Sequence, residues 1–318
     1  MTFCPTGFSP NIFYDLQNIW CYEFMRNAFE TGTIIAIIAG VTGYFVVLRR
    51  SAFVAHAFSE IGFAGASGAI LLGIEPIAGL LVGSVLGGLA IAALGRRATN
   101  RDTQIGIVLA FTLGLGLLFI SLYKSFATAA ISILFGEILG ISSSEVLLTL
   151  VAGVGILIAV GFLYRPLLFA SLDEDVAEAK GMPMLFLGTS FMLVVAVAVS
   201  FAVQVTGVLL IFSLMVTPAA TAQYLSRRPG TAIALSVGIA LMATWVGLFV
   251  GFYTIYPVSF FITAIAFSLY ILVRLTRYAM RPKIVSEVPK RNQAGRSPTG
   301  GEPESGNSRR LTGCRPVS

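Results

Sequence analysis

The chain has 318 residues, of which 56% are hydrophobic and only 11% charged, and its mean hydropathy is +0.88. Soluble domains carry about 25% charged residues, so the composition excludes a soluble globular protein and indicates an integral membrane protein. The net charge is +6, but the basic residues lie in short loops and in the tail without interleaved aromatic residues. We therefore expect these basic residues to interact with membrane lipid and not with nucleic acid.

Residues 1–25 lack the basic start and clean apolar core of a signal peptide, so we predict an extracytoplasmic or interfacial lead-in. A spanning helix needs about 17–25 apolar residues. Within a membrane domain at 26–280, nine segments meet this condition: 28–48, 53–73, 77–95, 104–122, 145–164, 186–203, 206–224, 231–252 and 257–278. The stretch 127–141 is shorter and interrupted by Gly136 and Gly140, which favours a re-entrant or interfacial piece. The prediction is an all-α membrane bundle of about nine transmembrane helices.

The loop charges predict the orientation, since basic residues concentrate in cytoplasmic loops. Arg26 and Lys124 lie on one side of the nine predicted spans. All other basic residues that flank a span lie on the opposite side, namely Arg49, Arg50, Arg96, Arg97, Arg101, Arg165, Lys180, Arg227, Arg228, Arg274, Arg277 and Arg281. This distribution predicts that the N-terminus is outside and the C-terminus in the cytoplasm.

The only histidine of the chain, His56, lies four positions before Glu60 in an apolar segment. On a helix, such positions stack on one face with Cβ atoms about 6 Å apart. Charged or titratable side chains are costly in hydrocarbon, so an intramembrane pair indicates a functional site. The two side chains could bind one divalent cation or relay protons. They could also bind each other and hold neighbouring helices together.

The largest predicted cytoplasmic loop, 165–185, begins with acidic residues that favour a helix start and ends with Gly181, which favours its stop. We predict a short, acidic, exposed helix there, either a solvated connector or a docking helix for a cytoplasmic partner. Residues 281–318 are rich in Pro, Gly, Ser, Arg and Glu and cannot bury a core. We predict that they form a disordered cytoplasmic tail.

The seventh predicted span contains Pro218, which frees a backbone carbonyl four residues earlier. Ser213 and Thr217 lie close to the same face, so this helix is either an ordinary kinked helix or a lining of a pathway. None of the four lysines lies in a phosphate-binding loop, and one histidine cannot build a zinc-protease pair or a catalytic triad. We therefore expect a transport subunit rather than an enzyme.

Four stretches together resemble motifs of one family. Ser51–Gly62, with the preceding Val41–Arg50, is similar to the first motif of the membrane subunit of zinc, manganese and iron ABC importers. Asp173–Pro183 resembles the cytoplasmic coupling segment of that family. Gly207–Ala222 is similar to its Gly-Val-Leu-Leu…Pro-Ala-Ala helix, and Leu134–Gly140 to its Leu-Phe-Gly segment. The resemblance covers about residues 25–280 in order.

This resemblance implies a type II ABC-importer-like permease bundle in the bacterial cytoplasmic membrane. It implies a second permease copy, two cytoplasmic ATPases and an extracytoplasmic metal-binding protein as partners. It also implies that His56 and Glu60 are transient ligands of a transported Zn²⁺, Mn²⁺ or Fe²⁺, with no permanently bound cofactor. The docking residues implied in the coupling segment are Asp173, Glu174, Asp175, Glu178 and Gly181. The family motif commonly reads Asp-Ala-Leu-Ser-His, so the carboxylate and the histidine are exchanged in this chain.

The main alternative is a secondary metal transporter driven by protons, with His56 and Glu60 as the proton relay. A membrane scaffold without transport activity is a third hypothesis. The sequence does not distinguish zinc from manganese, nor a homodimeric from a heterodimeric permease.

Overall fold

The computed structural model describes residues 22–94, 101–123, 134–136, 138 and 140–279. Within these ranges, helices are the only regular secondary structure. Its helices are α1 Glu23–Leu48, α2 Ala52–Leu71, α3 Pro76–Leu94, α4 Arg101–Ser121, α5 Ser143–Leu172, α6 Glu174–Ala179, α7 Met184–Thr206, α8 Val208–Leu225, α9 Pro229–Phe252 and α10 Val258–Ala279. The lead-in up to residue 21, most of 127–141 and the tail 281–318 lie outside the described residues, and so do the predictions made for them.

The helices confirm the membrane bundle that the hydropathy predicts. Six of them, α1, α2, α5, α7, α9 and α10, are long and apolar enough to cross a bilayer. The other three long helices contain shorter apolar stretches, Pro76–Ile91, Ile105–Ser121 and Leu210–Leu225. Each of the nine predicted segments overlaps one helix, whereas the number of crossings stays a prediction.

The two helix ends that differ most from the predicted segments lie next to charged residues. Helix α1 begins at Glu23 rather than at residue 28, and its first charged side chains are exposed to solvent. Helix α5 continues through Pro166 to Leu172, although the expected loop starts at residue 165. Leu167 is completely buried, so packing holds the last turns of α5 in place beyond the apolar segment.

Glycine lets helix α2 approach its neighbour α3 closely. A Cβ atom on Gly65 would overlap the backbone of Gly79, and one on Gly83 would lie 3.0 Å from the carbonyl oxygen of Ile61. Apolar burial drives little helix association in lipid, so dispersion contacts between close backbones hold such pairs. Helix α2 also packs against α4, α7 and α8, which leaves it enclosed by four helices.

One end of the bundle carries most of the described arginines and is called the basic end here; it includes Arg49, Arg165, Arg228 and Arg277. Two contacts join helix termini at this end. The Gln223 side chain donates to the carbonyl of Tyr44 over 3.1 Å, and Arg277 donates to the carbonyl of Leu225 over 2.7 Å. The charge asymmetry seen in the loops is therefore a property of the folded bundle. The side of the membrane that it faces stays a prediction.

At the opposite end, the described part of 127–141 packs against the junction between α7 and α8. Gly136 and Gly207 have positive φ angles of 74° and 85°, and a Cβ on either would lie 2.5 Å from the other segment's backbone. The Ser259 hydroxyl donates to the carbonyl of Phe135 over 2.8 Å, and the Asn27 amide donates to that of Ile141 over 3.0 Å. Four helix termini therefore meet on this segment.

The contact between α1 and α8 gives a test of the packing. A Cβ atom on Gly43 would overlap the carbonyl oxygen of Met215, whereas one on Gly155 would meet nothing within 4 Å. We expect Gly43→Ala to lower the free energy of unfolding by about 1–3 kcal/mol through overpacking, and Gly155→Ala, at an open helix position, to raise it by up to about 1 kcal/mol. Thermal unfolding of the two purified variants in detergent, followed by circular dichroism, measures the difference. Equal midpoints would contradict the packing described.

Candidate functional site

The candidate site is on α2, where His56 and Glu60 occupy successive turns of the same face. Helix α2 begins at Ala52 at the basic end. With a rise of 1.5 Å per residue, His56 lies about 6 Å and Glu60 about 12 Å along the helix. His56 is half-buried, whereas Glu60 is only 6% exposed. A carboxyl group is therefore held inside the bundle on a helix of mean hydropathy 1.2.

Both side chains contain a buried atom that has no hydrogen-bond partner among the described residues. These atoms are Nδ1 of His56 and Oε2 of Glu60. A buried polar group without a partner costs about 1–3 kcal/mol, so a ligand that bonded to either atom would recover that cost. Within the described residues the only ion pair joins Arg26 to Glu30. The structure therefore shows no ion pair between His56 and Glu60.

Two aromatic rings flank the imidazole of His56. The ring of Phe212 on α8 has its centroid 5.3 Å from that of the imidazole, at an interplanar angle of 64°. Phe53, one turn earlier on α2, lies 6.5 Å away. Both phenylalanines are about two-fifths exposed, so His56 lies near the surface of the single chain. Sequence reasoning missed Phe212, whose only signal was its position next to Ser213.

The predicted lining residues lie on α8 beside Phe212. Ser213 and Thr217 are half-buried, and Pro218 is buried inside the helix. The carbonyl of Thr217 accepts a 2.7 Å hydrogen bond from the hydroxyl of Thr221, which supplies a local partner next to the proline. Phe212 is the α8 residue whose ring contacts the imidazole of His56. A pathway role for Ser213, Thr217 and Pro218 stays a prediction.

The site offers two donors of different type. No group of three or more His, Cys, Asp and Glu side chains converges anywhere in the part of the chain that the structure describes. An imidazole nitrogen with a carboxylate oxygen suits divalent transition metals better than Mg²⁺. Two donors from one chain bind such an ion weakly, which is what conduction requires, because the ion must also leave.

The short acidic helix expected in the 165–185 loop is present as α6. The Asp173 carboxylate accepts a 3.0 Å hydrogen bond from the amide of Val176 and caps the first turn. Gly181, with φ of 77°, ends the helix. The amide of Met182 donates to the carbonyl of Ala177, and that of Gly181 to the carbonyl of Glu178. This pair of bonds is a Schellman motif.

The described acidic side chains of α6 face solvent, while the opposite side of the helix packs against the bundle. Ala177 is completely buried, and Lys180 lies 4.9 Å from the ring centroid of Phe169 on α5. Asp173, Asp175 and Glu178 are exposed; the Glu174 side chain is outside the described set. The helix therefore presents carboxylates from a fixed base at the basic end.

A cavity of about 410 Å³ lies at the opposite end of the bundle, between α3, α5 and α7. Glu75, Glu145 and Gln204 contribute its polar wall. The Glu145 carboxylate accepts a 2.8 Å hydrogen bond from the amide of Ser142, and Gln204 donates to its other oxygen over 3.4 Å. These bonds give Glu145 and Gln204 a structural role in capping α5, which sequence reasoning had not assigned to them.

Comparisons with solved structures support the fold. The chain is similar to PsaBC from Streptococcus pneumoniae, solved in complex with Fab, with 29% identity and a TM-score of 0.75. The similarity covers 83% of this chain and 95% of that one. A metal-chelate type ABC transporter solved in an inward-facing conformation has the same fold, with a TM-score of 0.67 at 15% identity.

Sequence comparisons give the family. The manganese import system permease protein ScaB of Streptococcus gordonii is 31% identical over 74% of this chain and 85% of its own length. The manganese transport system membrane protein MntC of Listeria monocytogenes is 29% identical over 74% and 84%. The model of the ABC 3 transport family matches residues 21–277, which include His56, Glu60 and α6. The chain therefore belongs to the ABC 3 transport family.

Proposed function

We propose that the chain is the permease subunit of an ABC importer for a divalent transition metal, with manganese as the first candidate and zinc as the second. The observation that carries this proposal is the pair of buried, unpartnered atoms, His56 Nδ1 and Glu60 Oε2. A passing cation would give both atoms the partner that the protein does not supply. The manganese systems named among the relatives support the choice of metal.

A second copy of the chain would complete the coordination. His56 and its neighbours Phe53 and Phe212 lie near the surface of the single chain, so the same face of another copy can approach them. Two copies would contribute two His56 imidazoles at the joined faces, each with a Glu60 carboxylate one turn further along α2. Such a set binds more strongly than a single pair, yet each copy contributes only two donors, so separation of the faces would release the ion.

The energy for import would come from a separate ATPase at the basic end. The four lysines of the chain lie outside any phosphate-binding loop. Helix α6 would be the docking element, since its exposed carboxylates stand on a base anchored by Ala177 and Lys180. The basic end would then face the cytoplasm of a bacterial cell, and an extracytoplasmic metal-binding protein would deliver the ion to the other end.

Metal accumulation in cells tests the pathway role. We expect His56→Ala and Glu60→Gln each to lower manganese uptake by at least about tenfold, because removal of even an outer-shell partner of a metal ligand costs about 10–100-fold. Uptake of radioactive manganese at equal protein level in the membrane is the measurement.

Ser67→Ala is the matched control, since Ser67 lies on the same helix and its buried hydroxyl bonds only to the carbonyl of Phe63. It should transport like the unmodified chain. Unchanged uptake by His56→Ala and Glu60→Gln would contradict the pathway role. Uptake by the purified chain that needs a pH gradient and no nucleotide would instead support the proton-coupled alternative.

Binding of the ATPase tests the docking role of α6. We expect the triple variant Asp173→Asn, Asp175→Asn, Glu178→Gln to bind a co-expressed ABC ATPase about tenfold more weakly. Exposed ion pairs contribute roughly 0.5 kcal/mol each, and about 1.4 kcal/mol is tenfold in affinity. Asparagine keeps the helix cap, because Asn caps about as well as Asp. The dissociation constant in detergent, from microscale thermophoresis, is the measurement.

The control is a second triple variant, Glu23→Gln, Glu30→Gln, Glu75→Gln, which removes the same number of negative charges at the opposite end of the bundle. Its affinity for the ATPase should equal that of the unmodified chain. If the two triple variants bind the ATPase equally well, the carboxylates of α6 are not a docking surface.

A further inference from the structure

An open crevice lies between α1, α5 and α9, away from the proposed metal site. Its volume is about 530 Å³. Most of the lining residues are apolar: Val41, Leu157, Val160, Gly161, Phe162 and Ile233. Tyr164 and Arg165 are the two polar residues of the lining. Helices α5 and α9 are among the least buried of the candidate spans, at 28% and 33%. The crevice therefore opens on a surface that the bilayer reaches.

The crevice extends inward from the basic end. Ile233 lies in the first turns of α9 and Val41 in the last turns of α1, and these helix ends meet at that level. Arg165 is eight residues beyond Leu157 on α5, or about 12 Å along the helix axis. The polar residues of the crevice therefore lie nearer the basic end, and its apolar residues lie deeper in the bundle.

Arg165 supplies the charge at the polar end. It is exposed, and the ion pair between Arg26 and Glu30 is the only one among the described residues, so no described carboxylate neutralises it. Its neighbour Tyr164 is half-buried, with its ring packed edge-on against Phe45 at 5.8 Å. A guanidinium beside a fixed phenol matches a phosphate, which accepts paired hydrogen bonds from arginine. Basic pockets between transmembrane helices bind anionic lipid headgroups.

We propose that this crevice binds an anionic phospholipid, with the phosphate on Arg165 and one acyl chain along the apolar wall. Gly161 leaves space for the chain, because a Cβ there would meet nothing within 4 Å. An apolar surface of a second protein copy fits less well, since it would bury the Arg165 guanidinium without a partner. The site is independent of the proposed transport function.

Native mass spectrometry of the full chain tests the headgroup contact. The chain is purified in detergent and incubated with equal amounts of phosphatidylglycerol and phosphatidylcholine. We expect about fivefold preference for phosphatidylglycerol, the ratio that one arginine near a membrane surface supplies. Arg165→Gln should remove this preference. Arg227→Gln is the control, because Arg227 is an exposed arginine at the same end but outside the crevice. This variant should keep the preference for phosphatidylglycerol.

A second pair of variants tests the acyl-chain contact. Gly161→Leu should fill the crevice and lower binding of both lipids, whereas Gly155→Leu, an equally open glycine of α5 outside the crevice, should not. If the site bound only the phosphate, Gly161→Leu would bind both lipids as well as the unmodified chain does. Three results would overturn the proposal: a preference that survives Arg165→Gln, lipid binding unchanged in Gly161→Leu, or efficient cross-linking of two copies through Gly161→Cys in phosphatidylglycerol vesicles.

Discussion

The central constraint on the structure is that two polar atoms are buried on one helix without a hydrogen-bond partner among the described residues. His56 Nδ1 and Glu60 Oε2 lie one turn apart on α2. Each costs about 1–3 kcal/mol as long as it stays unpaired, so the surrounding helices must hold α2 in place. Helices α3, α4, α7 and α8 do so, and glycine contacts such as Gly65 with Gly79 allow the close approach.

The two ends of the bundle differ in charge and in packing. At the basic end, α6 carries exposed carboxylates on an anchored base, and the crevice between α1, α5 and α9 carries the exposed Arg165 beside an apolar wall. At the opposite end, helix caps and the Gly136–Gly207 contact tie four helix termini together. The proposed function uses this difference, since a partner that supplies energy would act at the basic end, and the metal would arrive at the other.

The sequence could predict the helices and the pair at the site because both depend on local patterns. Apolar length reveals a membrane helix, and the four-residue spacing places His56 and Glu60 on one face. The cap at Asp173 and the stop at Gly181 are equally local. The continuation of α5 past Pro166 was missed because it depends on the burial of Leu167. The contact of Phe212 with His56 joins residues far apart in sequence, and no local pattern predicts it.

The measurement that tests the central claim most directly is the reaction of diethyl pyrocarbonate with His56, the only histidine of the chain. The extent of modification of its peptide is followed by mass spectrometry in the assembled transporter. The account predicts that Mn²⁺ slows the reaction, that Mg²⁺ does not, and that Glu60→Gln loses the protection, because a metal-bound imidazole nitrogen cannot attack the reagent. Equal rates with and without Mn²⁺ in the unmodified chain would contradict a metal route past His56.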